Sequence, residues 1–150
     1  FVSSFKNINV KNEQNKLLSL FKEIQQKRNL TYIFISHDLA MVRKSCNRIA
    51  VMYMGRTVEL AKNDTLFNNC RHPYTRTLLC TIPTLDKNPY DKKLYLMDGE
   101  PPDPTEVGKG CSFNTRCPNP THECKEGSIE MGLIEIAPGH LVDQCCVNCG

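Results

Sequence analysis

Two groups of residues in this 150-residue sequence could carry chemistry. The first is His37, which stands between Ser36 and Asp38 directly after the apolar run Thr31-Tyr-Ile-Phe-Ile35. That run is β-branched and aromatic with no polar alternation, the pattern of a central parallel strand covered on both faces. Asp38 is a good N-cap for a helix in which Leu39, Val42 and Cys46 recur at helical spacing. His37 is therefore expected on the tight turn at the carboxyl end of a buried strand, the edge at which open α/β sheets bind ligands. The plainer alternative is a capping or packing histidine.

The second group is Cys111-x5-Cys117-Pro-x5-Cys124, followed twenty residues later by Cys145-Cys146-x2-Cys149. Thiolates five or six loop residues apart, with Pro118 and Pro120 stiffening the chain, can converge on a centre that supplies folding energy to a segment poor in apolar residues. Four such ligands suit zinc or an iron–sulfur cluster, and spacing alone does not separate the two. The alternative is a set of reduced, unliganded thiols. Nine cysteines, three in the first 110 residues and six in the last forty, make an odd and uneven set that disfavours a secreted disulfide scaffold.

The elements that must position these groups can be read in order. Leu17, Leu20, Phe21 and Ile24 share one face of a helix expected from about Asn12, with Asn29 as its stop, and this helix should pack on a sheet. The strand at 31–35 and the helix at 38–46 follow. Residues 49–54 and 57–60 flank Gly55-Arg56 and read as a hairpin at an antiparallel edge. Residues 64–67 form a short helical turn. A further helix starts near Pro73, where the missing N–H costs nothing, and ends before Pro83. Prolines 83, 89, 101, 102 and 104 mark a linker with one short strand at 94–97. The fold class is α/β, divided as 1–82, a linker at 83–110, and a cysteine-rich, loop-rich extension at 111–150.

Composition bounds the rest. The length suits one ordinary core. A first residue of Phe1 rather than Met, with no clear domain start, suggests a piece of a longer chain. No apolar run approaches the roughly 18–20 residues of a membrane span, so any membrane association is expected to run through a partner. The net charge of +3 is small and its lysines are spread among Asn and Gln, which argues against a nucleic-acid partner.

Ile33-Phe-Ile-Ser-His-Asp-Leu39, then Arg48-Ile-Ala-Val-Met-Tyr-Met-Gly-Arg56, then His72-Pro-Tyr-Thr-Arg-Thr-Leu-Leu79 closely resemble the C-terminal part of ABC-transporter ATP-binding subunits, in the oligopeptide and dipeptide importer branch. The resemblance implies a P-loop-type nucleotide-binding domain in which His37 is the switch histidine that contacts the ATP γ-phosphate, with Ser36 beside it. Val2-Ser-Ser-Phe5 resembles the family's D-loop, with Lys6 where an aspartate normally follows. Gly99-Glu-Pro-Pro-Asp-Pro104, Gly110-Cys-Ser-Phe-Asn-Thr-Arg-Cys-Pro118 and Ala137-Pro-Gly-His-Leu-Val142 resemble the C-terminal extension of the same subunits, which in relatives carries a four-cysteine [4Fe-4S] site. By that match Cys111, Cys117 and Cys124 are three ligands. The family's fourth position is Gln144 here, so Cys145 is the nearest thiol, with Cys146 and Cys149 as substitutes. His140 is expected to be structural or to support the ligands rather than to bind the metal itself.

In an intact subunit the resemblance implies ATP and Mg as cofactors and hydrolysis coupled to uptake of oligo- or dipeptides, with nickel complexes as another possible cargo. It further implies transmembrane permease subunits, a second ATP-binding subunit, an indirect link to an extracytoplasmic peptide-binding protein, and a peripheral place on the cytoplasmic face of the membrane. The sequence itself contains no G-x-x-x-x-G-K-[ST], no ABC signature and no apolar strand ending in Asp-Glu. His37 alone can sense a phosphate but cannot hold a nucleotide, so these residues are not expected to hydrolyse ATP unaided. The rival reading is a stand-alone metal-binding interaction module for which the first 82 residues are scaffold.

Overall fold

The computed structural model describes residues 8–82, 110–128 and 131–147. The backbone divides into two compact units, residues 1–37 and 38–150. In the first, helix α1 spans Ile8–Arg28 and stops where Asn29 adopts a left-handed φ of 51°. Leu30 N–H then bonds back to Gln25 O at 3.2 Å, the closing hydrogen bond of a Schellman cap, so the asparagine that reads as a stop is one.

The segment after α1 departs from expectation. Residues 31–35 are extended but form no strand, because no neighbouring strand among the described residues offers them backbone partners. Their side chains alternate. Tyr32 and Phe34 turn toward Phe21 of α1, with ring centroids 5.6 and 5.9 Å away, while Ile33 and Ile35 are 90% and 100% exposed. The expected burial on both faces is therefore not met among the described residues.

The second unit opens with Asp38, whose carboxylate accepts from Met41 N–H at 3.0 Å and caps α2 (Leu39–Ser45). Strands β1 (Arg48–Tyr53) and β2 (Arg56–Lys62) form the expected hairpin. Its turn puts Met54 and Gly55 at φ of 47° and 77°, the two positive values that a type I′ turn requires. Helix α3 (Asn63–Asn69) buries Leu66 and Phe67, and Asn63 reaches back to bond the carbonyls of Arg43 and Cys46 at 2.8 and 2.6 Å, closing the end of α2. Helix α4 (Pro73–Cys80) follows.

After the linker, a single 3-10 turn at Asn114–Arg116 and the short helix α5 (His122–Glu126) lead to β3 (Leu133–Ala137) and β4 (His140–Asp143). Every pairing in the four-stranded sheet is antiparallel, in the order β1-β2-β4-β3. Strand β4 of the cysteine-rich extension thus pairs directly with β2, Glu59 opposite Val142 and Leu60 opposite Leu141. The second unit is helices on an antiparallel sheet, and among the described residues the parallel strand read from the sequence is not formed. The resembled D-loop segment, the short strand at 94–97 and nearly all of the linker lie outside the described residues.

One irregularity positions the site. The pairing of β1 with β2 slips between Val51 and Met52, leaving Val58 as an extra residue. The bulge breaks alternation on β2, so that Val58 and Glu59 are both buried. The core gathers Val42, Ile49, Val51, Leu66, Leu79 and Val142 around Phe113, whose ring meets Tyr53, Tyr74 and His72 at centroid distances of 5.2, 5.8 and 5.4 Å. Phe113 therefore anchors the extension to the hairpin. A fully buried phenylalanine is worth about 1.5–3 kcal/mol.

Candidate functional site

Ser36 and His37 close the first unit, and both side chains are exposed. The cap that follows them is in place at Asp38.

The cysteines are brought together by backbone contacts. Cys111 N–H donates to Cys124 O at 3.1 Å, and Asn114 N–H closes a turn onto Cys111 O at 2.9 Å. The approach of the two segments depends on Gly110, where a Cβ would fall 2.1 Å from Cys124 O; only glycine fits. Thr121 caps α5, accepting from Cys124 N–H at 3.3 Å and donating to the Cys124 thiol at 3.0 Å. Gly127, at a left-handed φ of 74°, ends that helix after one turn. On the other side, β4 runs into a 3-10 turn at Gln144–Cys146 that buries Cys145 and Cys146, their sulfurs 3.7 Å apart.

Of the sequence-predicted ligands, Cys111, Cys124 and Cys145 are buried and Cys117 is half-buried. Cys111 and Cys145 share a thiol hydrogen bond, and Cys117 feels the charges of both Cys111 and Cys124. The Cys111 thiol is pushed well above its usual range, first by the bond to Cys145 and then by burial, while the ring of His72 acts the other way. For Cys145 the bond from Cys111 lowers the pKa, but the bond to Cys146, burial and the charges of Cys146 and Asp143 together raise it further. Burial leads in raising Cys117. Free thiolates are disfavoured here, a balance that a bound cation reverses.

Among the described residues, no three His, Cys, Asp or Glu side chains stand at metal-ligating geometry. Cys111, Cys117, Cys124 and Cys145 nevertheless share one neighbourhood in which the thiols are largely shielded from water. Cys149 falls outside the described residues, which leaves Cys145 and Cys146 as the placed candidates for a fourth ligand.

Three residues that spacing did not single out hold this arrangement to the sheet. Glu59 is 0% exposed, and its carboxylate accepts from Arg71 N–H at 2.7 Å and His72 N–H at 3.1 Å. His140 Nε2 lies 2.8 Å from the same carboxylate. His140 thus fills the structural role expected of it, by anchoring β4 to β2. His72 is also 0% exposed; its Nδ1 accepts from Tyr74 N–H at 3.1 Å and caps α4. The only sequence signal for that cap is a histidine directly before a proline at a helix start.

The family model described as "Oligopeptide/dipeptide transporter, C-terminal region" matches residues 58–124. The oligopeptide transport ATP-binding protein AppF of Bacillus subtilis is 42% identical over 130 residues, covering 86% of this chain and 39% of its own length. The di/tripeptide transport ATP-binding protein DppF of Pseudomonas aeruginosa is 39% identical over 122 residues, covering 81% of this chain and 38% of its own length. The chain therefore spans about two fifths of the curated relatives it matches. The matched region runs from the β2 bulge through α4 to Cys124, so it includes Glu59, His72 and three of the thiols; by that match and those identities, the chain belongs to the oligopeptide/dipeptide transporter C-terminal family.

Proposed function

We propose that the chain is the C-terminal part of the ATP-binding subunit of an ABC importer that couples ATP hydrolysis to uptake of oligo- or dipeptides. The observation that carries this reading is the identity of about two in five residues to peptide-transport ATP-binding proteins over more than four fifths of the chain. In that role His37 contacts the γ-phosphate of ATP, with Ser36 beside it and Mg on the nucleotide. The phosphate cradle, signature and Asp-Glu motifs belong to the remainder of the subunit. A histidine at this point stabilises charge on the transferring phosphoryl group rather than supplying ground-state affinity.

The subunit would work with transmembrane permease subunits and a second ATP-binding subunit on the cytoplasmic face of the membrane, and indirectly with an extracytoplasmic peptide-binding protein. No helix among the described residues is long and apolar enough to cross a membrane, in keeping with a peripheral place. The rival reading as a stand-alone metal-binding module draws no support from relatives named as ATP-binding transport proteins.

Cys111, Cys117, Cys124 and Cys145 are the proposed ligands of a thiolate-held centre, a [4Fe-4S] cluster or zinc, within the extension. The division into a nucleotide-binding part at 1–82, a linker at 83–110 and an extension at 111–150 is part of the same proposal. Proteoliposomes carrying the assembled importer test the function: ATP-dependent accumulation of a labelled dipeptide or oligopeptide is expected. Transport that proceeds equally without this subunit would overturn it.

A further inference from the structure

We infer that Thr121 is the positioning residue of Cys124, its hydroxyl aiming that sulfur and tempering its electron density in the ligand state; this rests on the reading of Cys111, Cys117, Cys124 and Cys145 as thiolate ligands. Two contacts join the pair. Thr121 Oγ1 lies 3.0 Å from Cys124 Sγ and accepts from Cys124 N–H at 3.3 Å. A ligating sulfur has lost its proton, so the hydroxyl proton is the only one left between oxygen and sulfur, and it points at the sulfur. The one hydroxyl then accepts from the backbone and donates to the side chain of the same cysteine.

Cys124 keeps little freedom apart from the torsion that this contact sets. Its carbonyl accepts from Cys111 N–H at 3.1 Å and from Asn114 Nδ2 at 3.4 Å, and the residue is 3% exposed. The backbone is thus held from both sides, and rotation about Cα–Cβ is what remains to aim the sulfur. Thr121 is itself stiff, being β-branched and fixed as the N-cap of α5 at φ −78° and ψ 161°. Thr121 and Cys124 stand three residues apart, the spacing of a capping box, in which the later side chain reaches back toward the cap. A glutamate there would bond the cap's backbone N–H, whereas the shorter cysteine stops at the hydroxyl. Capping alone does not require a hydroxyl, since an aspartate would accept from Cys124 N–H equally well. What threonine adds is a proton to donate, and a thiolate is the acceptor for which such a charge-assisted bond is strongest.

Cobalt(II) is the probe, because its thiolate-to-metal charge-transfer band reports sulfur ligation directly. The full 150-residue chain, reduced and anaerobic, is titrated with cobalt(II) beside two variants. Thr121→Gly removes the hydroxyl at little cost to the helix start, because glycine is itself a good N-cap; Thr121→Ser keeps both donor and acceptor. The glycine variant should bind cobalt about 10-fold more weakly, the lower end of the range for a lost supporting contact at a metal site. Its band should move to lower energy, because a sulfur without the hydrogen bond gives up electron density more readily. The serine variant should keep both the affinity and the band position of the wild type.

A glycine variant with wild-type affinity and band position overturns the inference while leaving the centre standing, and so does a serine variant that behaves like the glycine one. A wild-type chain with no charge-transfer band overturns the thiolate centre and the inference together. If the glycine variant does not fold, as judged by circular dichroism, the wild-type chain loaded with cadmium-113 decides by NMR. A Thr121 hydroxyl proton coupled to the cadmium nucleus through the sulfur supports the inference, and a hydroxyl in rapid exchange with water, without that coupling, overturns it.

Discussion

His140 Nε2 lies 2.8 Å from Oε1 of Glu59, and the two side chains, 81 residues apart in sequence, are 5% and 0% exposed. The same carboxylate accepts the backbone N–H groups of Arg71 and His72. One side chain thus joins β2 to β4 and to the start of α4.

Removing Glu59 takes the acceptor from three groups at once, the N–H groups of Arg71 and His72 and the His140 ring, the last two buried. Glu59→Ala is expected to cost about 3–5 kcal/mol, the range for breaking a buried pair, which is a large share of the roughly 5–15 kcal/mol that a domain commands. His140→Ala added to it should cost little more, because the partner is already lost. Urea denaturation of both single variants and the double variant checks the coupling; additive losses would mean that the contact is not formed in solution.

Much of the local structure was legible because it rests on neighbouring residues. Asn29 as a stop, Asp38 as a cap, Gly55 in a hairpin turn and Pro73 at a helix start each act within a few residues, and each stands where it was read. The run at 31–35 misled because apolar composition shows that a strand can be buried, not that partner strands are present to bury it. Strands β3 and β4 escaped notice because they are short, five and four residues, and β4 buries His140 and Asp143, polar residues that do not read as core. The burial of Glu59 was not legible at all, since it follows from the bulge at Val58 and from a histidine 81 residues away. The thiols were visible from spacing alone, whereas the full burial of His72 was visible only once α4 was placed.

Gly110→Ala probes the packing of the two cysteine segments. A methyl group 2.1 Å from Cys124 O cannot be absorbed by a side-chain rotation, so the backbone must part there. Overpacking of this kind costs about 1–3 kcal/mol. Cys111 and Cys124 should then react faster with a thiol reagent in the metal-free chain, measured by mass spectrometry. Unchanged rates would show that the segments do not meet as described.

The ligand set makes its own prediction about redundancy. Anaerobic preparation should give a brown protein with about four irons per chain if the centre is a [4Fe-4S] cluster, or a colourless one with zinc. Single replacement of Cys111, Cys117 or Cys124 by serine should abolish the centre. Replacement of Cys145 should be tolerated better, since the Cys146 sulfur lies 3.7 Å away. Metal analysis of the four variants reads this out, and retention of metal in all of them would refute the ligand set.

The 150 residues alone should show no saturable ATP binding at micromolar concentrations by calorimetry, since the sequence contains neither the glycine-rich cradle nor the Asp-Glu pair. Tight binding would place a nucleotide site within these residues and displace the proposed division of labour.

The most direct test of the account is ATP turnover by the assembled importer carrying His37→Ala. Nucleotide affinity should remain nearly intact while hydrolysis falls by roughly 10²-fold or more, the signature of a contact made to the transition state rather than to bound ATP. Turnover equal to that of the unaltered subunit would contradict the account and return His37 to the role of a residue that merely precedes a helix cap.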